Sequence, residues 1–285
     1  MGGATPTTPG PGQAAARPAG RPELDPAWFE AIAVRRSRRR YTDRRVPRAA
    51  LSALTSLAGR FRLAPGARIA LFEDPGGLFT GIGERLGGAY GRVEGALWAA
   101  AFTAPEGAEV EAGYVGEAFV LEATRLGLGT CWVAGMFDRE TADRIVTAEP
   151  GERIVAVTPV GYPLERKALV ERMMSAAVRS AARRQVEDIA PGLVRHGAHP
   201  WPAWAVSAVE AARQAPSGAN RQPWRFSLEG GALVLSTTPG AYWTAPIDCG
   251  IAMLHAELGA LHEGVRGDWV RLAAPDVARF EPAGL

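Results

Sequence analysis

Two short stretches of the chain carry residue types and spacings that could do chemistry. The first is AVRRSRRRYTDRRVP, residues 33–47, within a run of eight arginines between positions 35 and 48. Such a run can be a solvated basic face or a nucleic-acid patch. Against nucleic acid, Tyr41 is the one interleaved aromatic residue, and the formal net charge of the chain is only +2. A third use is an anion site. Arg35 at the end of a helix, then Ser37 and Arg39 on an extended segment, would send alternate side chains to one side. Two guanidinium forks and a hydroxyl placed there could hold a phosphate through charge-assisted hydrogen bonds.

The second stretch is ARQAPSGANRQPWRF, residues 212–226. Pro216, Ser217 and Gly218 break a helix, and Asn220, Gln222 and Pro223 follow before a strand. An ordinary helix-to-strand loop could read this way. Its amide side chains also donate and accept together, so the loop could bind a planar ligand with a polar edge. Asn220 is the sole asparagine of the chain, and Lys167 is the sole lysine among 32 basic residues. A composition that sheds both types elsewhere points to positions where chemistry insists on them.

Other candidates fall away. GIGERLGG at 81–88 has its glycines at G-x-G-x-x-x-G and lacks the strand–turn–helix context of a dinucleotide loop. His255 and His262 share a helix face, but no cysteine or carboxylate set completes a metal site, so both read as structural. Ser217 is not in a G-x-S-x-G elbow. Cys131 and Cys249 form no CxxC pair and read as small buried residues. Two cysteines make no disulfide framework, which favours a reducing cytoplasm.

The elements that must position these residues follow from periodicity. With 285 residues, 47% hydrophobic and 22% charged, the composition is that of an ordinary globular protein. No apolar run approaches the ~20 residues that span a bilayer, and the N-terminus lacks the apolar stretch of a secretory signal. Residues 1–22 are rich in Pro and Gly and read as a disordered tail. The remaining 23–285 read as one domain with halves at about 23–185 and 200–285. Helices are expected from Asp25-Pro26, from Pro47 to Gly59, over 113–126, after Asp138, over 168–185, over 202–214 and over 246–261. Strands are expected at 68–72, 96–102, 130–133, 153–160, 224–229, 232–237 and 269–272, with a linker at 186–200. Gly230-Gly231 is a two-residue hairpin signal. Helix, strands and buried helix thus occur twice.

Taken together, RRSxRxY followed by VP, then APSGxNxQPW, resembles the FMN-dependent nitroreductase family. GAYGRVEGA at 88–96, GLGTCW at 127–132 and VGYP at 160–163 agree, and the resemblance covers about residues 28–262. It implies an α+β, nitroreductase-like fold with a central mixed β-sheet flanked by helices. It also implies FMN as cofactor and NAD(P)H as electron donor, with hydride passing through the flavin to a small electron-poor acceptor. Carried over by motif, Arg35, Arg36, Ser37 and Arg39 match the phosphate and flavin-edge group, and Cys131, Trp132 and Val133 match the strand beside the flavin. Arg166 and Lys167 match the terminal phosphate partners, and Pro216, Ser217, Asn220 and Gln222 match the loop that contacts the ring. In ordinary members one repeat carries both RRS and PSxxN. Here the first half has only RRS and the second only PSGAN, which resembles a single-chain branch of the family, a fused pseudo-dimer keeping one composite site. The expected partners are therefore a small molecule, with no nucleic acid, no membrane and no second chain. The alternative is a non-catalytic flavin-binding or scaffold relative.

Overall fold

The computed structural model describes residues 23–74, 76–79, 93–164, 182–194 and 200–284. The expected tail at 1–22, the glycine-rich 81–88, Arg166, Lys167 and the expected helix up to residue 181 lie outside the described residues. So does most of 88–96.

Asp25 shapes a turn ahead of the first helix, its Oδ1 accepting the Ala27 N–H at 2.9 Å. Helix α1 then covers Trp28–Val34, and α2 covers Arg48–Arg60 directly after Pro47. Strands β1 (Arg68–Glu73), β2 (Trp98–Pro105) and β3 (Glu152–Val160) form an antiparallel sheet in that order. Between β2 and β3 come the long helix α3 (Glu109–Arg125) and the short α4 (Arg139–Ile145). Asp138 caps α4 by accepting the Thr141 N–H at 2.7 Å. The C-terminal part runs α5 (Ala203–Arg213), β4 (Trp224–Glu229), β5 (Ala232–Thr237), α6 (Ala245–His262), β6 (Gly267–Arg271) and β7 (Asp276–Pro282). Its sheet has the order β4-β5-β7-β6, also antiparallel.

The class is α+β, but the expected central mixed sheet is corrected to two antiparallel sheets. The short turns joining β4–β5 and β6–β7 force antiparallel pairing, and β1–β2, β2–β3 and β5–β7 pair antiparallel across longer connections. Parallel pairing occurs as the isolated bridges Ser37–Thr130 and Arg40–Glu94. The expected strand at 130–133 is likewise a set of isolated bridges. The expected linker holds two helical turns, Val186–Ile189 and Pro191–Val194. Strand β7 was not expected at all. Pro275 precedes it and Pro282 is its last residue, and prolines so close to a short apolar run argue against a central strand, yet it pairs with both β5 and β6.

One order of elements recurs. After α2 come the β1–β2 pair, then α3, then β3 beside β2. After α5 come the β4–β5 hairpin, then α6, then β7 beside β5. The two central helices cross at glycines. A Cβ on Gly113 would collide with the Ile247 carbonyl, and one on Gly250 would collide with the Val110 carbonyl. Each carbonyl belongs to the residue three positions before the opposite glycine, so the contact is reciprocal, as across a two-fold axis. At the same separation along the chain, Gly127 matches Gly264, both with φ near +76° (75° and 77°), and Trp132 matches Trp269.

This crossing sits in one large core running from Trp28 in α1 to Phe280 in β7. Helix α6 is apolar on nearly every face because it is buried from Ala245 to Ala260, apart from half-buried Pro246. Strand β2 is buried on both faces. Its Ala100, Phe102 and Ala104 enter the large core, while Ala99 and Ala101 join a second cluster with Leu78, Ile154 and Val157. Overpacking costs about 1–3 kcal/mol. Gly250→Ala should therefore destabilise the chain by at least that much in denaturant titrations. Gly59→Ala, in open space within α2, should be neutral or slightly stabilising, since Ala favours a helix over Gly by up to ~1 kcal/mol.

Candidate active site

A pocket opens where the two recurring parts meet, with about 530 Å³ of space including its mouth. Ser37, Arg39, Cys131, Trp132 and Ala134 line one side, and Pro216, Ser217, Gly218 and Ala219 line another. Thr244, Ile247, Asp248 and Ile251, from the start of α6, complete it.

Backbone pairing sorts the arginine run. Arg38 N–H donates to the Thr130 carbonyl at 2.7 Å, and Glu94 N–H donates to the Arg39 carbonyl at 2.9 Å. The extended segment so fixed turns Ser37 and Arg39 into the pocket. Arg40 faces the other way and pairs with Glu94 at 3.4 Å. Arg36 bonds the carbonyls of Ala33 and Arg35, and Arg44 lies 3.7 Å over the Tyr162 ring. Most of the run thus serves structure or solvent.

Arg35 is buried, and its guanidinium approaches Glu117 of α3 at 3.9 Å. Its Nε makes no hydrogen bond among the described residues. Glu117 is fully buried and serves two other donors. The Trp132 indole N–H donates to its Oε2 at 2.7 Å, and His255 Nε2 of α6 sits 2.9 Å from its Oε1. The other ring nitrogen of His255 lies 3.1 Å from the Ala211 carbonyl. Glu117 thus stands between Arg35, Trp132 and His255. Burial pulls the Arg35 guanidinium below the ordinary range, opposed by Glu117.

The loop residues divide. Pro216 and Ser217 face the pocket, and Ser217 Oγ accepts the Gln222 N–H at 2.9 Å. Asn220 and Gln222 turn instead toward residues 182–184 and do not line the pocket. Asn220 Nδ2 donates to the Ala182 carbonyl at 2.8 Å, Arg183 donates to Asn220 Oδ1 at 3.0 Å, and Arg184 N–H donates to Gln222 Oε1 at 2.8 Å. Ala219, Asn220 and Gln222 have φ of 49°, 56° and 51°. Such backbones cost of order 1–3 kcal/mol each unless the surroundings enforce them, and the amide clamp does so. Its product is the position of Arg183, which also donates to the Gln214 carbonyl just past α5. Burial brings the Arg183 guanidinium down to about 10, with Arg35, Arg36 and Arg213 adding like-charge repulsion. It remains cationic at neutral pH.

Of the segment 131–133, Cys131 and Trp132 face the pocket. Gly116 makes room for the Trp132 ring, since a Cβ there would collide with it. Val133 points away into the second cluster, its backbone paired with Val157. Three residues escaped the sequence reading. Glu117 and Asp248 could have been suspected as acids inside largely apolar helices. Arg183 looked like one more basic residue on a helix. His262 stacks on Phe29 at 4.0 Å, and among the described residues no metal-binding cluster exists. Among them too, no helix is long and apolar enough to cross a membrane.

The two-sheet α+β fold defines a structural class that known proteins share. The family model described as "Putative TM nitroreductase" matches residues 27–260. A Thermotoga maritima structure, also described as a "putative nitroreductase", is 22% identical with a TM-score of 0.58, covering 89% of this chain and 92% of that one. A nitroreductase family protein from Clostridium novyi NT is 22% identical over 48% of this chain and 86% of its own, with a TM-score of 0.41. A Bacteroides fragilis nitroreductase with bound FMN is 18% identical over 50% and 91%, with a TM-score of 0.37. No curated protein matches the sequence. The chain belongs to this nitroreductase family.

Removing one member of a buried charge network strands the others, at about 3–5 kcal/mol. Glu117→Leu should lower stability by that order in denaturant titrations of the apoprotein, because Arg35 loses its counter-charge. Glu140→Leu, on the exposed face of α4, should change it by less than ~0.5 kcal/mol.

Proposed function

We propose that the chain is an FMN-dependent oxidoreductase that uses NAD(P)H to reduce a small electron-poor acceptor in the cytoplasm. One observation carries the reading. Arg35 brings a buried guanidinium, whose Nε has no hydrogen bond among the described residues, beside a pocket lined by Ser37, Cys131, Trp132, Pro216 and Ser217. That arrangement suits a ligand joining a planar ring to a phosphate, and family membership supports FMN as that ligand.

Arg35, Ser37 and Arg183 would hold the phosphate through charge-assisted hydrogen bonds. Arg183 is proposed alongside Arg166 and Lys167, which the family resemblance matches to the terminal phosphate partners. Arg36 adds positive potential from the surface. Arg39 supplies a cation to the pocket wall, and Trp132, Ile247 and Ile251 exclude water from it. Bound there, FMN would supply two-electron hydride chemistry, so the protein needs no nucleophile of its own.

One flavin per chain is the expected stoichiometry. At the separation that matches Trp132 with Trp269, Ala134 corresponds to Arg271 and Asp248 to Glu111. Ala134 and Asp248 line the pocket, whereas Arg271 and Glu111 pair with each other at 3.1 Å. A single chain then suffices for the site.

Losing one charged hydrogen bond costs about 1.5–3 kcal/mol, or roughly 10–100-fold in affinity. Arg35→Ala and Arg183→Gln should each raise the FMN dissociation constant by that factor, while Arg44→Ala should leave it unchanged. Absorbance of released flavin should give one FMN per chain, with a monomeric mass by light scattering. A purified chain that retains no flavin, or equal effects from all three variants, overturns the reading.

A further inference from the structure

The connection that leads into α6 differs from its counterpart before α3. Strand β2 ends at Pro105 and α3 starts at Glu109, whereas β5 ends at Thr237 and α6 starts at Ala245. The longer connection, residues 238–244, carries Tyr242 and Trp243. Their exposure is 48% and 53%, and no other of the eight tryptophans stands out in water.

Both rings are held in place. The Thr238 N–H donates to the Pro223 carbonyl at 2.8 Å, and the Ala245 N–H donates to the Tyr242 carbonyl at 2.8 Å. The Arg221 guanidinium lies 4.4 Å over the Tyr242 ring. The Tyr242 and Trp243 rings meet at 5.8 Å and 51°. Beyond them the Trp243 indole rests on Gly135, where a Cβ would come within 2.8 Å of the ring.

These side chains form one ledge, from Arg221 to Gly135, that joins both recurring parts. It borders the pocket, because Ala219, Thr244 and Ala134 line the pocket and stand within two residues of Arg221, Trp243 and Gly135. Arg221 is also close enough to favour the carboxylate of Asp248 in the pocket wall.

Single exposed apolar residues need no explanation, but a fixed aromatic pair beside a site mouth is a stacking surface. Stacked on Tyr242, Arg221 keeps the N–H groups in its own plane for an anion. A neutral aromatic ligand would use the rings and leave that cation idle. A nucleotide joins a planar ring to an anion.

We propose that this ledge docks the adenosine diphosphate half of the dinucleotide donor, with adenine on Trp243 and the diphosphate at Arg221. The inference rests on the reading of the pocket as a flavin site reduced by NAD(P)H. The nicotinamide ring must reach the flavin inside the pocket, so the rest of the donor extends to the mouth, where the ledge stands. The ledge then sets a preference for a dinucleotide over a mononucleotide donor.

ADP, titrated calorimetrically into FMN-loaded protein, probes the ledge without turnover. Stacking of a base on an aromatic side chain is worth on the order of tenfold in affinity, so Trp243→Ala should weaken ADP binding by about that factor. Arg221→Gln should weaken it at least as much, since a charged hydrogen bond is lost. Gly135→Ala, which displaces the indole without removing it, should weaken it too. Val270→Ala, an exposed position on β6, should leave it unchanged. Donor preference gives the second readout. In stopped-flow reduction of bound FMN, the ratio of dissociation constants for reduced nicotinamide mononucleotide and NADH should fall about tenfold in Trp243→Ala. ADP that fails to bind, or binds equally to wild type, Trp243→Ala and Arg221→Gln, overturns the proposal and leaves the flavin reading standing. Bound flavin that neither nucleotide reduces overturns the donor reading and this inference with it. A chain that retains no flavin overturns the flavin reading itself.

Discussion

The buried carboxylate of Glu117 is the constraint on which the rest of the structure turns. It stands on α3, yet its partners come from three other places: His255 on α6, Trp132 in the pocket wall and Arg35 after α1. Through His255 it also reaches the Ala211 carbonyl near the end of α5. A buried ion pair is seldom a net source of stability, because desolvation offsets most of the Coulombic gain. What such a network does is penalise every arrangement that leaves one member unpaired. The two central helices, the pocket tryptophan and the start of the arginine run are therefore positioned by one group.

The glycine crossing makes that network possible. Side chains span the gap between α3 and α6 only because Gly113 and Gly250 let the two backbones approach within contact of each other's carbonyls. Close approach brings Glu117 and His255 to 2.9 Å, in a core that excludes water. The same exclusion strengthens electrostatics at the site. The positive charge of Arg35 would matter little on the surface; buried beside a pocket, it would favour an anionic ligand.

The recurring element order sets matching positions of the two parts side by side. Matching positions differ in side-chain size and charge. Where one side has the small Ala134 opposite Asp248, the other has Arg271, which closes onto Glu111. A salt bridge there satisfies two charges and fills the space a ligand would need. On the open side Asp248 has no cation in hydrogen-bond contact among the described residues, and burial pushes its carboxyl up.

Local pattern fixed much of this molecule before any tertiary contact formed. The hairpin over 224–237 follows from two apolar runs around Gly230-Gly231, and its strands fall where periodicity put them. Helix α6 and the sorting of Ser37 and Arg39 to one side likewise follow from the geometric repeat of helix and strand. Long-range partners decided the remainder. Nothing local distinguishes β7, which becomes a central strand only because β5 and β6 offer it edges on both sides. Asn220 and Gln222 read as ligand contacts because an amide can bind almost any polar edge. In the fold their nearest polar edges are the backbone of Ala182 and Arg184 and the guanidinium of Arg183, distant in sequence, and those groups claim them. A sequence specifies which groups a side chain can bond. Which of those groups lies within 3 Å is decided by how the chain closes on itself.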